Sequence, residues 1–574
     1  MHGKIVVREQ LSLPIDVGLA SMERTLADGT ASERGAVFTK REIAEFILDL
    51  IGYRAGANLY QFKLLEPSFG RGDFLIPAAE RLFQSVRSAE VLGQDVKAQC
   101  IWQAIRGVEI HKDSFEQSRA ILIAQALSFG YSYQEAAGFV DHWLMLDDFL
   151  LTDLDDDHTH VVGNPPYLRQ ERIPSDLLAQ YRLRFGTLYD RADLYVPFFE
   201  RGLNHLSPDG KLGFICPDRW IKNKYGGPLR AMITARYWVQ AIVAMHTAQA
   251  FEDDVTAYPA IFIIRKVQPG ATRVATLDDT SPASIAQLFA MLTHSKPAKD
   301  LVVTEVSSLG PGLEPWLIES DGRSDLIRRL ESTLPTLEEA GCKVGIGVAS
   351  GADKVFIGNY DDLPVEPDRK LPLITTKNIR DDQIVWSNTW IVNPFDEAGH
   401  LVDLVDYPLL MSYFRLHEQR LRARNCAKRT QSGWYRTIDK ISAGLTKIPK
   451  LLIPDIKSSM TVAYDPGKLY PHHNLYFVVS KDWDLMALRT VLKSRVAHLF
   501  LSSYSLKMRG GYFRFQAQYL RKLRIPYWSD VSHSLRQELI DAGASLDAVR
   551  CDHVCARLYG LSQIEQQNAN YFSV

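Results

Sequence analysis

A short apolar run at residues 62–65 leads directly into a glycine-rich turn at 66–75, and a helix with an apolar face follows from Leu75. The turn reads Glu-Pro-Ser-Phe-Gly-Arg-Gly-Asp-Phe-Leu. Glycines let the backbone approach a ligand closely, and the first turn of a helix offers N–H groups that have no partner within the helix. A strand, a glycine-rich turn and a helix in this order are typical of nucleotide-binding α/β folds. The sequence therefore predicts an open α/β sheet in the N-terminal half.

Acidic residues recur where successive predicted strands end. Glu66 opens the glycine-rich turn, Glu109 ends a strand at 106–109, and Asp148 follows a strand at 142–146. Open α/β sheets bind ligands at the carboxyl ends of their strands, and a carboxylate after the second strand often holds ribose hydroxyls. We therefore expect these three carboxylates to line one ligand site.

The first helix is predicted at residues 39–51, where apolar side chains fall on one face. Thr39 and Glu42 form a capping-box pattern at its start, and Gly52 suits the position after its last residue. The pattern predicts that the Thr39 side chain caps this helix, a role that is compatible with binding a ligand carboxylate.

The tetrapeptide Asn-Pro-Pro-Tyr at 164–167 follows a β-branched pair at 161–162, so it lies where a fourth strand ends. Its two prolines have no N–H group and fix the backbone, which makes the turn rigid. The Asn164 amide oxygen and the Pro165 carbonyl are both hydrogen-bond acceptors. A planar amino group fits between them, and Tyr167 can stack on the ring that carries it. The tetrapeptide therefore predicts a site for a planar ring with an exocyclic amino group.

The length of 574 residues predicts two or three domains, because a single core rarely grows to this size. The sequence has no apolar run of about 18 residues that predicts a membrane span, and its N-terminus lacks the apolar region of a secretory signal. Of six cysteines, only Cys551 and Cys555 lie close together, which is weak evidence for a metal site. We therefore expect a cytoplasmic protein with reduced thiols and no metal.

The net charge of −2 hides a strong segregation of charge along the chain. Residues 401–530 contain 22 lysines and arginines against 9 aspartates and glutamates, a surplus of 13. A basic region in a nearly neutral protein is typical of a nucleic-acid-binding domain. A solvated surface that happens to be basic would give the same count, so charge alone leaves both interpretations open.

The order of the motifs resembles that of the class I S-adenosylmethionine-dependent N6-adenine DNA methyltransferases of the TaqI-like type. Phe38 and Thr39 stand where that family has Phe-Thr-Pro, although Lys40 replaces the proline. The resemblance covers residues 35–266 and implies a class I methyltransferase (Rossmann-like) α/β domain. The other matching segments are 66–75, 107–110, 148–150, 193–195, 209–215 and 251–266.

The resemblance implies a role for each matching site residue. Asn164 and the Pro165 carbonyl would polarise the target amino group, and Tyr167 would stack on the base. Phe251 is the first choice for the opposite face of the base, and Tyr258 is the second. The residues assigned in this way to S-adenosylmethionine are Thr39, Glu66, Ser68, Gly70, Gly72, Glu109, Ile110, Asp148, Phe149 and Asn164.

The C-terminal half resembles a TaqI-like target-recognition domain at segments 344–349 and 373–380. Beside the Gly-Gly pair at 510–511, Lys507, Arg509 and Arg514 are the predicted DNA contacts. Residues 531–570 are predicted to be helical. We expect a catalytic domain at 1–300, a linker at 301–340 and a mixed α/β target-recognition domain at 341–574.

The sequence thus predicts a site-specific DNA adenine-N6 methyltransferase that protects host DNA in a restriction–modification system. Its partner would be double-stranded DNA, and we expect a monomer. Because no nuclease motif is apparent, we also expect a cognate endonuclease that acts separately. The alternatives are an RNA or protein-glutamine methyltransferase of the same fold, a catalytically idle DNA-binding subunit of a larger complex, and methylation of cytosine N4. The basic region favours DNA, and the intact motifs argue against an idle subunit.

Overall fold

The chain divides into two compact units, residues 1–320 and 321–574. The computed structural model describes residues 35–252, 258–293, 303–310, 312–318, 323–428, 431–457, 461–504, 513–514 and 517–570. The division falls inside the predicted linker at 301–340. That segment carries a strand of the first unit, Val303–Val306, and a helix of the second, Arg323–Thr333.

A nine-stranded sheet runs through the first unit in the order β3-β2-β1-β4-β5-β7-β6-β8-β9. The first five strands in this order are parallel, and β7 is antiparallel to both of its neighbours. The expected open α/β sheet with a class I methyltransferase arrangement is therefore confirmed. The strands are β1 Leu64–Glu66, β2 Ile105–Glu109, β3 Leu144–Leu146, β4 His158–Gly163, β5 Leu206–Pro217, β6 Trp238–Ala244, β7 Pro259–Arg265, β8 Thr272–Thr276 and β9 Val303–Val306.

Apolar clusters cover both faces of this sheet. The central strand β7 is buried over six consecutive residues, which is why its sequence is a continuous apolar run rather than an alternating one. The helices of this unit are α1 Arg41–Ile51, α2 Leu75–Val91, α3 Ala98–Gln103, α4 Lys112–Ser128, α5 Tyr133–Trp143, α6 Ser175–Arg184, α7 Tyr195–Asn204, α8 Gly227–Arg236 and α9 Pro282–Thr293.

The glycine that follows α1 was predicted correctly, but the residue at its N-cap was not. Gly52 follows the helix with φ of 84°, the left-handed conformation that favours glycine, as predicted. The helix begins at Arg41, and Lys40 at its N-cap makes no side-chain capping bond. The predicted cap by Thr39 is wrong, because its hydroxyl is used elsewhere in the structure.

The described residues of the second unit form two four-stranded sheets and two two-stranded ones, in the orders β10-β20-β16-β18, β11-β15-β12-β19, β13-β14 and β17-β21. Among the described residues of 531–570, three helices form as predicted. The strands are β10 Cys342–Ile346, β11 Ile357–Asn359, β12 Lys370–Ile374, β13 Ile379–Arg380, β14 Gln383–Ile384, β15 Thr389–Val392, β16 Lys450–Pro454, β17 Ile456–Lys457, β18 Ala463–Asp465, β19 Tyr470–Pro471, β20 Leu475–Ser480 and β21 Phe513–Arg514. The helices are α10 Arg323–Thr333, α11 Asp353–Phe356, α12 Pro408–Leu416, α13 Glu418–Arg422, α14 Asn425–Lys428, α15 Leu485–Lys493, α16 Arg495–Tyr504, α17 Ala517–Leu520, α18 His533–Ser545, α19 Ala548–Leu558 and α20 Gln563–Asn570.

Within the part of the chain that the structure describes, none of these helices combines the length and the apolar character that crossing a bilayer requires.

Two buried histidines on β4 make the first unit sensitive to acid. Burial lowers the pKa of His158 to about 4 and that of His160 to about 3, from an ordinary value of 6.5. Because the folded state resists protonation and the unfolded state does not, this stabilising contribution is present above pH 6.5 and is lost as pH falls towards 4. For His158 the loss amounts to about 3 kcal/mol over that interval.

We therefore predict that His158→Gln loses less unfolding free energy than the wild type between pH 7 and pH 5. Denaturant unfolding monitored by tryptophan fluorescence measures the difference at each pH. The exposed His400 provides the matched control, and His400→Gln should follow the wild-type curve. Parallel curves for His158→Gln and wild type would contradict the prediction.

Candidate active site

A cavity opens at the carboxyl ends of β1, β2, β3 and β4. Five of its lining residues are aspartate or glutamate, and none of the lining residues, which lie within the described range 36–198, is lysine or arginine. The cavity therefore has the electrostatic character to hold a cation. Its lining residues are Ala36, Val37, Phe38, Glu66, Pro67, Ser68, Phe69, Gly70, Asp73, Phe74, Glu109, Ile110, Ser114, Asp147, Asp148, Phe149, Asn164, Pro166, Leu168, Tyr181, Leu194 and Phe198.

Eight of the ten residues predicted to bind the cofactor line this cavity. The eight are Glu66, Ser68, Gly70, Glu109, Ile110, Asp148, Phe149 and Asn164. Thr39 contacts the side chain of Asn164 from outside the lining. Gly72 is also outside it, with φ of 84°, and a Cβ there would lie 2.8 Å from the Ile76 side chain. Gly72 therefore serves the turn and the packing of α2.

Glu109 fixes the glycine-rich turn from the neighbouring strand. Its Oε2 accepts a hydrogen bond from the Gly70 N–H at 2.7 Å, and its Oε1 accepts one from the His111 N–H at 2.8 Å. Gly70 has φ of 52°, in the left-handed region. The carboxylate thus holds a backbone conformation that glycine adopts easily, and it does so at the edge of the cavity.

Two further carboxylates line the same cavity, Glu66 buried and Asp73 half-buried. Burial raises the pKa of Glu66 well above its ordinary value, and the neighbouring Asp73 and Glu109 raise it further. Glu66 Oε2 has no hydrogen-bond partner among the described residues. Burial also raises the pKa of Asp73 to about 6, although the Thr39 N–H, which donates to Asp73 Oδ2 at 2.6 Å, lowers it. Both groups are therefore costly to ionise unless a cation is present.

Asp148 and Phe149 follow β3. Both residues line the cavity and also make contacts that hold the local fold. Asp148 Oδ1 accepts a hydrogen bond from the Leu150 N–H at 2.8 Å, and its Oδ2 accepts one from the Tyr181 hydroxyl. The Phe149 ring packs on Phe198, with centroids 5.0 Å apart. Each residue therefore holds the local fold and also faces the cavity.

The side chain of Asn164 has a defined orientation. Its Nδ2 donates to the Val37 carbonyl at 2.8 Å and to Thr39 Oγ1 at 3.1 Å. Its Oδ1 is buried and has no hydrogen-bond partner among the described residues. Since both hydrogens of the amide are used, the free group at this position is an acceptor.

The segment before α1 lies along the turn at 164–167. The Tyr167 N–H donates to the Gly35 carbonyl at 2.8 Å. Gly35 has φ of 70°, and a Cβ there would lie 2.6 Å from the Tyr167 carbonyl carbon, so the close approach requires glycine. We call residues 35–40 the strap, because they cross the turn at 164–167 and hold it by backbone and side-chain hydrogen bonds.

Aromatic rings surround Tyr167. The rings of Phe251 and Tyr195 lie 6.0 Å and 6.3 Å from the Tyr167 ring, and both are nearly perpendicular to it. The Tyr258 ring lies instead against His246, at 5.1 Å, and His246 is hydrogen-bonded to Asp218. Of the two predicted partners of Tyr167, the structure brings Phe251 to it and places Tyr258 beside another side chain.

The lining residues that sequence reasoning did not assign to the site include Phe38, Asp73 and Tyr181. Phe38 lies in the motif at 38–39 and Asp73 in the motif at 66–75. Their positions beside residues that were predicted to bind the cofactor could have identified them. Tyr181 lies in α6, after the catalytic turn, and no local pattern distinguished it. Arg71 stacks over the Phe38 ring at 4.0 Å, which holds this part of the strap against the glycine-rich turn.

Of the three predicted DNA contacts in the second unit, only Arg514 lies among the described residues. Lys507 and Arg509 lie outside the described residues, and Arg514 is described only as part of β21, paired with Ile456. These three assignments stay predictions. Among the described side chains, no group of three or more histidines, cysteines, aspartates or glutamates is arranged to hold a metal ion.

The cavity suits S-adenosylmethionine, which carries a sulfonium and an ammonium group. Glu66, with its buried, unpartnered oxygen, and Asp73 would face these cations, and Glu109 would hold the ribose hydroxyls. Asp148 and Phe149 would hold the adenine ring. The residues present therefore fit the cofactor that the motifs imply.

Comparison with known proteins gives two family matches. Residues 107–251 match the Eco57I restriction-modification methylase family, and residues 371–525 match the TaqI-like C-terminal specificity domain. The first match covers the ends of β2, β3 and β4 and the turn at 164–167, and the second covers most of the unit that was predicted to recognise DNA.

Full-length relatives and a solved structure agree with these matches. The chain is 49% identical to type II methyltransferase M.PaeR7I of Pseudomonas aeruginosa, over 96% of this chain and 95% of that protein. It is 48% identical to M.XhoI of Xanthomonas vasicola, over 93% and 98%. The type IIL restriction-modification enzyme MmeI, solved with DNA, shares the fold with a TM-score of 0.61 at 11% identity, over 92% of this chain and 75% of that one.

An identity near one half along almost the whole chain is far above what a shared fold alone requires. The methylase match and the specificity-domain match fall in the same order as the predicted catalytic and recognition halves. The chain therefore belongs to the type II methyltransferases of restriction–modification systems, DNA methyltransferases that use S-adenosylmethionine.

Proposed function

We propose that this methyltransferase transfers a methyl group to N6 of an adenine that is flipped out of double-stranded DNA. The observation that carries the proposal is the buried Oδ1 of Asn164, which has no hydrogen-bond partner among the described residues and belongs to the same tetrapeptide as Tyr167. An acceptor in this position binds an exocyclic amino group. The base must leave the helix, because its amino group is out of reach inside a duplex.

Asn164 and Pro165 would activate the target by hydrogen bonding. The lone pair of an adenine amino group is delocalised into the ring, so the group is a poor nucleophile. Two acceptors that hold its hydrogens return electron density to the nitrogen, and this stabilises the transition state more than the ground state. The bound cofactor supplies a methyl group on a sulfonium, which is already activated. The cavity residues would orient it in line with the amino nitrogen.

We propose Tyr167 as the stacking partner of the flipped base and Phe251 as the second aromatic contact. Phe251 is favoured over Tyr258 because its ring adjoins Tyr167, whereas the Tyr258 ring is engaged with His246. Since the rings of Tyr167 and Phe251 are nearly perpendicular, Phe251 must rotate to cover the opposite face of the base. Stacking contributes about 1–3 kcal/mol, which offsets part of the cost of unstacking.

The second unit is our candidate for sequence recognition. The basic surplus of residues 401–530 would bind phosphates, and the TaqI-like specificity domain supports DNA over RNA or protein glutamine as the target. Cytosine N4 is a weaker candidate, because Ser-Pro-Pro-type motifs are more usual there. We further propose a cytoplasmic monomer whose cognate endonuclease is a separate protein.

Sequencing of modified bases in DNA from cells that express this chain tests the proposal directly. The expected result is N6-methyladenine at one position of a single recognition sequence. Expression of the Asn164→Ala variant is the control for background methylation. N4-methylcytosine at a defined sequence, or unmodified DNA together with methylated RNA, would overturn the adenine assignment.

The first kinetic prediction concerns Asn164. Asn164→Ala should lower the rate of methyl transfer by more than about 100-fold, because it removes one of the groups that polarise the amino nitrogen. Its affinities for cofactor and DNA should change only a few-fold. Single-turnover transfer of a labelled methyl group measures the rate, and the exposed Asn58, changed to alanine, is the matched control. A rate within a few-fold of wild type would exclude this role for Asn164.

The second prediction concerns Glu109. Glu109→Ala should weaken S-adenosylmethionine binding by about 1–3 kcal/mol, the range for a lost charge-assisted hydrogen bond. DNA affinity should remain nearly unchanged. Titration calorimetry measures both, and Glu116→Ala, an exposed position on α4, is the control. Unaltered cofactor affinity would remove Glu109 from the site.

The third prediction concerns pH. The pKa of Asp73 is raised to about 6 in the folded protein. Its contribution to the stability of the cofactor-free protein is therefore fully present below about pH 3.8, where the carboxyl group is protonated in both the folded and the unfolded state. This contribution is lost as pH rises through 6. A cation bound beside it favours the ionised form. S-adenosylmethionine affinity should therefore rise with pH between 5 and 7, by roughly tenfold.

Calorimetric titrations at several pH values measure this slope. Asp73→Asn should flatten it, because the amide does not ionise. Asp95 is exposed and outside the cavity, so Asp95→Asn should keep the wild-type slope. An equal slope in the wild type and in Asp73→Asn would assign the pH dependence to another group.

A further inference from the structure

The amide of Asn164 is useful to catalysis only in one of its two orientations. The two ends of an asparagine amide are nearly the same size, but one donates hydrogen bonds and the other accepts them. The proposed polarisation of a target amino group requires the accepting end. A rotation of the amide by 180° would present Nδ2 to the target amino group. The N–H donors of Asn164 would then face the N–H donors of the target.

We propose that Thr39, together with the Val37 carbonyl, is a positioning residue that fixes the Asn164 amide with Oδ1 towards the substrate. This inference rests on the proposed function of Asn164 and goes beyond it, because it assigns the orientation to the strap. Thr39 was predicted to cap α1 or to bind the cofactor. The structure contradicts the cap and shows the Thr39 hydroxyl accepting from the Asn164 amide, while the cofactor assignment stays a prediction.

Two oxygens of the strap accept the two hydrogens of the Asn164 amide. A backbone carbonyl only accepts, so the Val37 oxygen must meet the Nδ2 end, at 2.8 Å. Thr39 Oγ1 receives the second hydrogen, at 3.1 Å. Rotation of the amide would bring Oδ1 against the Val37 oxygen and would leave a buried repulsive contact. A hydroxyl can donate as well as accept, so the Val37 carbonyl selects the orientation, and Thr39 Oγ1 stabilises it by accepting the second hydrogen.

Thr39 is itself held on three sides. Its N–H donates to Asp73 in the cofactor cavity at 2.6 Å. Its backbone forms an antiparallel bridge with Phe251, flanked by hydrogen bonds from Lys40 N–H to the Ala250 carbonyl and from Glu252 N–H to the Phe38 carbonyl. The hydroxyl is buried with the rest of the residue, which is 2% exposed. A side chain fixed in this way can orient its neighbour.

The test is a double-mutant cycle between Thr39 and Asn164. Thr39→Val keeps the shape and removes the acceptor, and Thr39→Ser keeps the acceptor. In single-turnover assays at saturating cofactor and DNA, Thr39→Val should lower the rate about tenfold, the loss expected for one neutral hydrogen bond. Thr39→Ser should restore the rate to within about twofold of wild type. In the Asn164→Ala background, Thr39→Val should change the rate by less than about twofold, because its effect passes through the amide.

Calorimetry with S-adenosylmethionine and thermal unfolding accompany each variant. An equal loss of rate from Thr39→Val in both backgrounds would overturn the inference, since Thr39 would then act through the cofactor or the fold. A wild-type rate in Thr39→Val would overturn it as well. If the wild type methylates cytosine N4 and the coupling persists, the adenine assignment fails and the positioning role of Thr39 stands. If Thr39→Val unfolds, Thr39→Ala and Thr39→Ser carry the same comparison.

Discussion

Desolvation of carboxylates at the strand ends is the constraint on which the site depends. Glu66, Asp73 and Asp148 line one cavity, and burial raises the pKa of each. A protein interior tolerates such groups when hydrogen bonds or an opposite charge compensate them. Backbone N–H groups compensate some of the oxygens, but Glu66 Oε2 has no hydrogen-bond partner within the described part of the chain. A cation in the cavity would compensate these carboxylates in their ionised form.

Strand ends were the most predictable part of the site. Parallel strands bring their carboxyl ends to one edge of the sheet, so a residue that ends an apolar run has a known position before any contact is known. Glu66, Glu109, Asp148 and Asn164 were all found in this way. Thr39 was misassigned because a capping pattern is local, whereas its actual partner is 125 positions away in the sequence. Tyr181 escaped notice for the same reason: its contact with Asp148 follows from the tertiary fold alone.

Charge counting has a similar limit in the second unit. The surplus in residues 401–530 includes side chains that are committed to the fold. Lys450 is fully buried and pairs with Asp465 at 2.7 Å. Arg424 donates to the carbonyls of Ser350, Trp434 and Arg436, and Arg489 donates to those of Val462 and Asp382. The count of basic residues therefore overstates the charge available to phosphates, and composition alone does not say which residues remain for DNA.

The strap connects the cofactor cavity to the catalytic turn by a short path. Asp73 accepts from the Thr39 N–H, Thr39 accepts from the Asn164 amide, and the Thr39 backbone pairs with Phe251. Hydrogen bonds to an ionised carboxylate are stronger than those to a neutral one. A cation in the cavity favours the ionised form of Asp73, and this strengthens its bond to the residue that orients Asn164. If Thr39 has the role proposed for it, ionisation of Asp73 links the two sites. A cation bound in the cofactor cavity favours that ionisation, and the stronger hydrogen bond to Thr39 then helps to hold the Asn164 amide in place.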